Sequence, residues 1–469
     1  MDASTSDRML YETLRAAARV ALRWYYCDVV VQGLDRIPAH GPLLIIANHP
    51  NALVDAMLVA TIVRRRILIT AKATLFEHPL LGPFLTAVGV VPLQRAHDVR
   101  AAGRRVASLS RNDVTLNRVN DALRRNAVVL VFPEGISHDE STLAPLKTGA
   151  ARIALQAHET GMRSLQVLPI GLVFEQKERP RSRVLVRIGD PIDLDAWCVA
   201  HPGDNAAALT RHIDVALHRV TLNFANAERA QRAVRLAGAL AALADDPLTL
   251  SRPRTFESEA EIAVRIETAI EALERASSEL GEVADHFISR LQILESRLAA
   301  RGATLEHAKI SLQLHDGARF LVREGALVII SAPLAILGRM THWLPIHVAR
   351  TVAMRSLRGD PSRDQPAMRT MVLGFGAVLL WYAVQAALIT HWMGGAAAVI
   401  WIVLVFAAAN LDLHFRDRTL RAQRRAGTYF ALRLDSSFRD SVRNEIDVLL
   451  AAALALERAL LSAVSETRS

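Results

Sequence analysis

From about residue 32 to about residue 200, short apolar runs alternate with stretches of helical periodicity. The runs fall at 43–47, 67–70, 88–91, 128–132, 167–173 and 184–188. Runs this short, rich in Val, Ile and Leu and separated by helices, predict the buried strands of an α/β domain with a mixed, largely parallel sheet flanked by helices. Pro169 interrupts the fifth run, and Gly189-Asp190-Pro191 closes the last with a turn signal. Ahead of the domain, residues 8–26 space Leu10, Leu14, Ala17, Val20, Ala21 and Trp24 at helical intervals, with Arg15, Arg19 and Arg23 elsewhere on the wheel. That is an amphipathic helix, which either lies on a membrane surface or packs on the domain.

Beyond residue 204 the composition turns to Ala, Leu, Arg and Glu. Ile266, Ile270, Leu273, Ser277, Leu280, Ala284, Phe287, Leu291, Leu294 and Leu298 alternate spacings of four and three, predicting a coiled-coil-like helical hairpin or bundle edge, either a scaffold packed on its neighbours or a dimerisation device. Residues 324–337 are apolar but short and contain Pro333, which predicts a re-entrant or interfacial segment. Two longer apolar runs, 370–393 and 396–411, predict a transmembrane hairpin turning at Gly394-Gly395. Arg350, Arg355, Arg358, Arg363 and Arg369 precede this hairpin, and Arg416, Arg418, Arg421, Arg424 and Arg425 follow it. The positive-inside rule puts both flanks, and with them the α/β domain, in the cytoplasm. The expected segments are an N-terminal helix 1–31, the α/β domain 32–200, an all-α region 201–320, an interfacial segment with basic linker 321–369, the hairpin 370–412 and a helical tail 413–469.

Composition adds a membrane and an anion to this picture. The 469 residues are 51% hydrophobic and carry a net charge of +9, with Arg well ahead of Lys. Such a balance suits phospholipid headgroups, phosphorylated substrates or nucleic acid. Aromatics at 5%, with no helix-turn-helix or zinc-finger spacing, argue against nucleic acid. Cys27 and Cys198, outside any CxxC or metal-type cluster, predict reduced thiols. The polar opening, residues 1–7, predicts no cleaved secretion signal.

Chemistry concentrates where the first apolar run stops. In LLIIANHPNALVD the run ends at Asn48-His49 and an acid follows at Asp55. A neutral imidazole at a strand end can take a proton from an alcohol, and a carboxylate on its other nitrogen fixes the tautomer and steadies the imidazolium. Pro50-Asn51 supplies the turn between them, and Asn51 is placed to cap the following helix. Read alone, the pair has a bland alternative as a structural His near an Asp. A second block joins Lys72 to GVVPLQR, where Arg95 offers a forked cation for a phosphate or is simply a surface arginine. A third, FPEGISHDESTLAPLKTG, makes a tight turn after a buried strand. Glu134 there can orient a hydroxyl or a cation, and Gly135 lets backbone approach a ligand, unless this is a plain strand-to-loop turn. His138 and Asp139 read as solvated loop. Lys177, Arg179, Arg181, Arg183 and Arg187 follow VLPIG as either phosphate contacts or a solvated face. No GxSxG elbow accompanies the histidine, and no third metal ligand sits at suitable spacing.

In order and spacing these blocks resemble the glycerolipid acyltransferase superfamily, most of all its fungal-type glycerol-3-phosphate/dihydroxyacetone-phosphate branch. NHPNALVD, FPEGISHDESTLAPLKTG and PIGLVF…RPRSRVLVRIGDPI carry the likeness, over residues 36–192. The resemblance implies that His49 is the base, that Asp55 orients it, that Arg95 with Lys72 holds a phosphate, and that Glu134 with Gly135 shapes the acceptor pocket. It implies no metal and no cofactor, with acyl-CoA or acyl-carrier protein as co-substrate. Glycerol-3-phosphate or dihydroxyacetone phosphate is then the acceptor at a phospholipid bilayer, a lysophospholipid is the nearest alternative, and a non-catalytic membrane scaffold is an alternative of another class. One departure stands out: five residues separate His49 from Asp55, where the superfamily usually has four.

Overall fold

The computed structural model describes residues 5–72, 76, 90–93, 118–137, 143–203, 205–222, 278–356 and 366–466. The chain forms two compact units, Met1–Asn223 with Arg350–Phe375, and Phe224–Ala349 with Gly376–Ser469.

The first unit is an α/β domain. Its elements are α1 (Thr5–Tyr25), β1 (Asp28–Gln32), β2 (Leu43–Ala47), α2 (Leu53–Ile62), β3 (Ile67–Lys72), β4 (Val91–Leu93), β5 (Val128–Val131), α3 (Gly149–Glu159), β6 (Gln166–Phe174), β7 (Arg183–Ile188), β8 (Ile192–Asp193), α4 (Leu194–Ala200) and α5 (Ala206–Val220). The strands form one sheet in the order β1-β7-β6-β2-β5-β3-β4, with β8 also on β6. Strands β6, β2, β5, β3 and β4 run parallel, as does β1 to β7, while β6 meets β7 and β8 antiparallel. All five residues of β2 are buried, because helices cover both faces of the sheet. One face packs α1 and α2 through Leu22, Val54 and Leu58, with Tyr26 just beyond α1, and the other packs α3 and α5 through Ile153, Ala154, Ile213 and Leu217.

Several expectations change here. The N-terminal helix is packed on the domain: Leu22, Tyr25 and Tyr26 are in the core, and the Arg15 guanidinium donates to the carbonyls of Val63 and Arg64 at 2.6 and 3.2 Å. The domain therefore starts ahead of residue 32, and β1 is a strand no apolar run announced. Strand β4 lies at 91–93 instead of 88–91; of the latter, residues 88 and 89 are outside the described residues. Pro169 does not break β6, which runs through it; its carbonyl accepts from Gly189 N–H at 2.9 Å.

The second unit is helical. The described elements are α6 (Ser278–Ala299), α7 (Leu314–Ser356), α8 (Pro366–Met393), α9 (Gly395–Leu434) and α10 (Ser436–Glu466), of which the end of α7 and the start of α8 belong to the first unit. Phe287, Leu291, Leu294 and Leu298 of α6 pack on Phe438, Val442, Ile446 and Leu449 of α10, so the heptad's later positions do form a helix–helix seam. Its earlier positions Ile266, Ile270, Leu273 and Ser277 lie outside the described residues. In place of a short interfacial segment at 324–337, α7 is one helix of 43 residues passing through Pro333 and Pro345. Three described helices, α7, α8 and α9, are long and apolar enough to cross a membrane, where the apolar runs predicted two.

Candidate active site

Strands β2 and β5 are adjacent and parallel, with Ile46 beside Val131, so the residues that follow each strand leave the sheet at one edge. Asn48-His49 emerges from β2 and Phe132 to Gly135 from β5. Asn48 continues the sheet with its side chain: its amide donates to Leu172 O at 3.0 Å and accepts from Leu172 N at 2.7 Å, reproducing a ladder rung. The next residue is thereby held at the rim. The His49 ring stacks on Phe132 with centroids 3.9 Å apart and planes 14° apart. Its Nδ1 lies 3.0 Å from Asp55 Oδ2, and its Nε2 has no partner among the described residues.

The five-residue gap closes through an unusual turn. Ala52 takes φ 48° and ψ −123°, a region L-residues rarely visit, and its N–H donates to Ser137 Oγ at 3.1 Å. Asn51 does not cap α2 with its side chain. Instead its N–H donates to Asp55 Oδ2 at 2.7 Å, so the aspartate in the first helical turn reaches back past the N-cap residue Ala52. The Asn51 side chain, 1% exposed, points away from the dyad and donates to Tyr26 Oη at 3.0 Å. Lys177, from the loop between β6 and β7, donates through Nζ to Pro50 O at 2.9 Å. The turn is thus gripped from α1, from the 177 loop and from Ser137.

Electrostatics follow from burial. Asp55 is fully buried, and its Oδ1 has no hydrogen-bond partner among the described residues. Burial pushes its carboxyl up, against the opposing pull of the His49 ring, the Asn51 N–H and the Lys177 charge. Those three groups are what allow a negative charge there. Burial likewise raises the Tyr26 phenol, which stays protonated.

Glu134 is 1% exposed and faces inward: Oε1 accepts from His49 N at 2.7 Å and Oε2 from Ala144 N at 3.0 Å. It ties the His49 segment to the 143–147 loop. Gly135 has φ 74°, and a Cβ there would fall 2.8 Å from Lys147 Nζ, so the glycine makes room for that side chain. Lys72 ends β3 at the same sheet edge, because β3 is parallel to β5. Arg95, like His138 and Asp139, lies outside the described residues. The cations after β6 mostly hold the fold: Arg181 donates to Arg23, Trp24 and Tyr26 carbonyls at the end of α1, and Arg183 pairs with Glu175 at 2.9 Å. Tyr26, Ser137 and Lys147 reach the site without having been singled out in the sequence: Ser137 and Lys147 belong to the glycine-bearing third block, and Tyr26 directly follows α1.

An imidazole gripped at one nitrogen by a buried carboxylate, with the other nitrogen open, is the apparatus of a general base. Residues 28–173 match the Acyltransferase family model, and the domain they form belongs to the glycerolipid acyltransferase superfamily. The chain is similar to an uncharacterised acyltransferase of Schizosaccharomyces pombe (23% identical, over 39% of this chain and 39% of the relative). It is also similar to glycerol-3-phosphate O-acyltransferase 1 of Saccharomyces cerevisiae (34%, over 21% and 13%) and to a chloroplastic 1-acyl-sn-glycerol-3-phosphate acyltransferase of Brassica napus (30%, over 32% and 38%). The chain thus spans well under half the length of these curated relatives.

Proposed function

We propose that this chain is a membrane-bound acyltransferase that moves a fatty acyl group from acyl-CoA or acyl-carrier protein to the sn-1 hydroxyl of glycerol-3-phosphate, dihydroxyacetone phosphate, or both. The 3.0 Å contact between His49 and Asp55 at the sheet edge carries the reading. His49 Nε2 takes the proton of the acceptor hydroxyl, whose oxygen attacks the thioester carbonyl carbon. The C–S bond breaks, and the departing thiolate takes the proton back from the imidazolium. Asp55 holds Nδ1–H and stabilises the imidazolium between the two steps. Glu134 is a positioning residue, fixing the backbone that carries His49. Lys147, exposed above Gly135, joins Lys72 and Arg95 as a cation for the acceptor phosphate.

The glycerol-3-phosphate reading is supported by the likeness to the two yeast glycerol-3-phosphate O-acyltransferases, 34% and 33% over their aligned stretches. A second reading, acylation of lysophosphatidate, is favoured by the longer match to the Brassica napus protein. The α8–α9 hairpin anchors the domain so that a water-soluble acceptor and an apolar-tailed donor meet at the bilayer surface, on the cytoplasmic side. An acceptor panel with acyl-CoA decides between the readings: faster turnover of glycerol-3-phosphate or dihydroxyacetone phosphate than of lysophosphatidate supports the first, and the reverse order overturns it.

A further inference from the structure

In the second unit α7 and α9 run antiparallel in close contact. A Cβ on Gly338 would meet the Ala408 carbonyl oxygen at 2.3 Å, and one on Gly317 would meet the Tyr429 ring. Only near-bare backbone allows so tight an approach. Where α7 is about to become apolar and α9 has ceased to be, a cavity of about 280 Å³ opens between them, lined by Phe320, Arg323, Glu324, Arg418, Arg421 and Arg425. Four guanidiniums therefore surround one carboxylate.

That carboxylate is already engaged. Arg418 grips Glu324 with Nε at 2.7 Å and Nη2 at 3.0 Å, and Arg323 reaches the same group at 2.9 Å. Arg425 lies over the Phe320 ring, 5.0 Å from its centroid, and Arg421 has no carboxylate partner among the described residues. Glu324 and Phe320 thus hold three guanidiniums in place while leaving a surplus of positive charge, an arrangement that repels itself unless an anion is present. Guanidinium forks match phosphate oxygens in pairs. The helix surface beside the cavity is apolar and open: Leu321 and Val322 are 66% and 71% exposed, Ile329 and Ile330 75% and 77%. A phosphate held in the cavity would therefore have hydrocarbon next to it.

We propose that this cavity is a binding site for the phosphate of an anionic phospholipid, at headgroup depth on the arginine-rich side of the membrane. The inference rests on α9 crossing the bilayer, and it is independent of which acceptor the catalytic domain uses. The full chain in detergent is titrated with phosphatidylglycerol and with phosphatidylcholine, and bound lipid is read by native mass spectrometry. The parent should bind phosphatidylglycerol in preference to phosphatidylcholine. Each basic group at an anionic surface strengthens attachment about fivefold, so Arg421→Gln should weaken phosphatidylglycerol about fivefold and Arg421→Gln/Arg425→Gln about 25-fold, with phosphatidylcholine unchanged. Because Arg421 contacts no carboxylate among the described residues, the single variant keeps the test open if the double variant loses helix content. Equal phosphatidylglycerol affinity in the parent and a folded variant overturns the proposal. So does displacement of the lipid by millimolar inorganic phosphate, which marks a site for a soluble anion. A chain that an alkaline wash strips from membranes instead removes the bilayer premise.

Discussion

At the scale of single residues, the dyad works against its own burial. Because burial lifts Asp55 above its ordinary 3.8, the folded chain holds that proton more tightly than the unfolded chain does. Stability from this group is present below about pH 4 and is lost as pH rises through the folded value. Asp55→Asn, with no proton to lose, should gain unfolding midpoint relative to the parent as pH is raised from about 4 to 8. A difference that is flat or shrinks with pH contradicts the burial argument. The same variant should lose about 10⁴-fold in kcat, since an amide no longer fixes the imidazole tautomer. Lys147→Ala should raise the KM for the phosphorylated acceptor about tenfold, the worth of one charged hydrogen bond, and leave the KM for acyl-CoA in place; the opposite split would move Lys147 to the donor side. His49 and Asp55 were legible in the sequence because an apolar run stops dead at one and the other follows within a turn. Tyr26 and Ser137 were not, because they reach the turn from 25 and 85 residues away, through contacts no local spacing records.

At the scale of elements, the turn between His49 and Asp55 closes through one residue in a rarely visited conformation. Ala52 sits at φ 48° and ψ −123° while the dyad keeps hydrogen-bond distance. Ala52→Gly should therefore stabilise the chain by about 1 kcal/mol, the lower end of the strain such a conformation stores, with turnover retained. A loss of stability in thermal unfolding would mean that Ala52 is unstrained. Buried strands β2, β3, β5, β6 and β7 were readable from apolar runs, since parallel strands covered on both faces leave no alternation to decode. Strand β1 was not: three valines between Asp28 and Gln32 carry little signal, and β7, its partner, lies far along the chain. Helix α7 was misread because Pro333 looks like an end to a short apolar stretch, yet the helix runs through it. Further along, Arg339 pairs with Asp412 at 2.8 Å and His342 with Tyr382 at 2.6 Å, so other helices satisfy these two polar side chains.

At the scale of the whole molecule, a catalytic α/β unit and a helical unit with membrane-length helices share one chain, and α8 begins in the first and continues in the second. The arginines flanking the α8–α9 hairpin predict a two-span topology in which α7 does not cross and both flanks are cytoplasmic, so a reporter fused after Leu420 should read cytoplasmic, and an external reading would remove that topology. The proposed chemistry is acyl transfer by the His49–Asp55 pair to a phosphorylated glycerol acceptor. Its most direct test is turnover of labelled glycerol-3-phosphate with acyl-CoA by the purified chain in vesicles, the parent beside a folded His49→Ala variant. The parent should give a 1-acyl product and the variant should lose about 10²- to 10⁴-fold; equal turnover by the two would rule out His49 as the base.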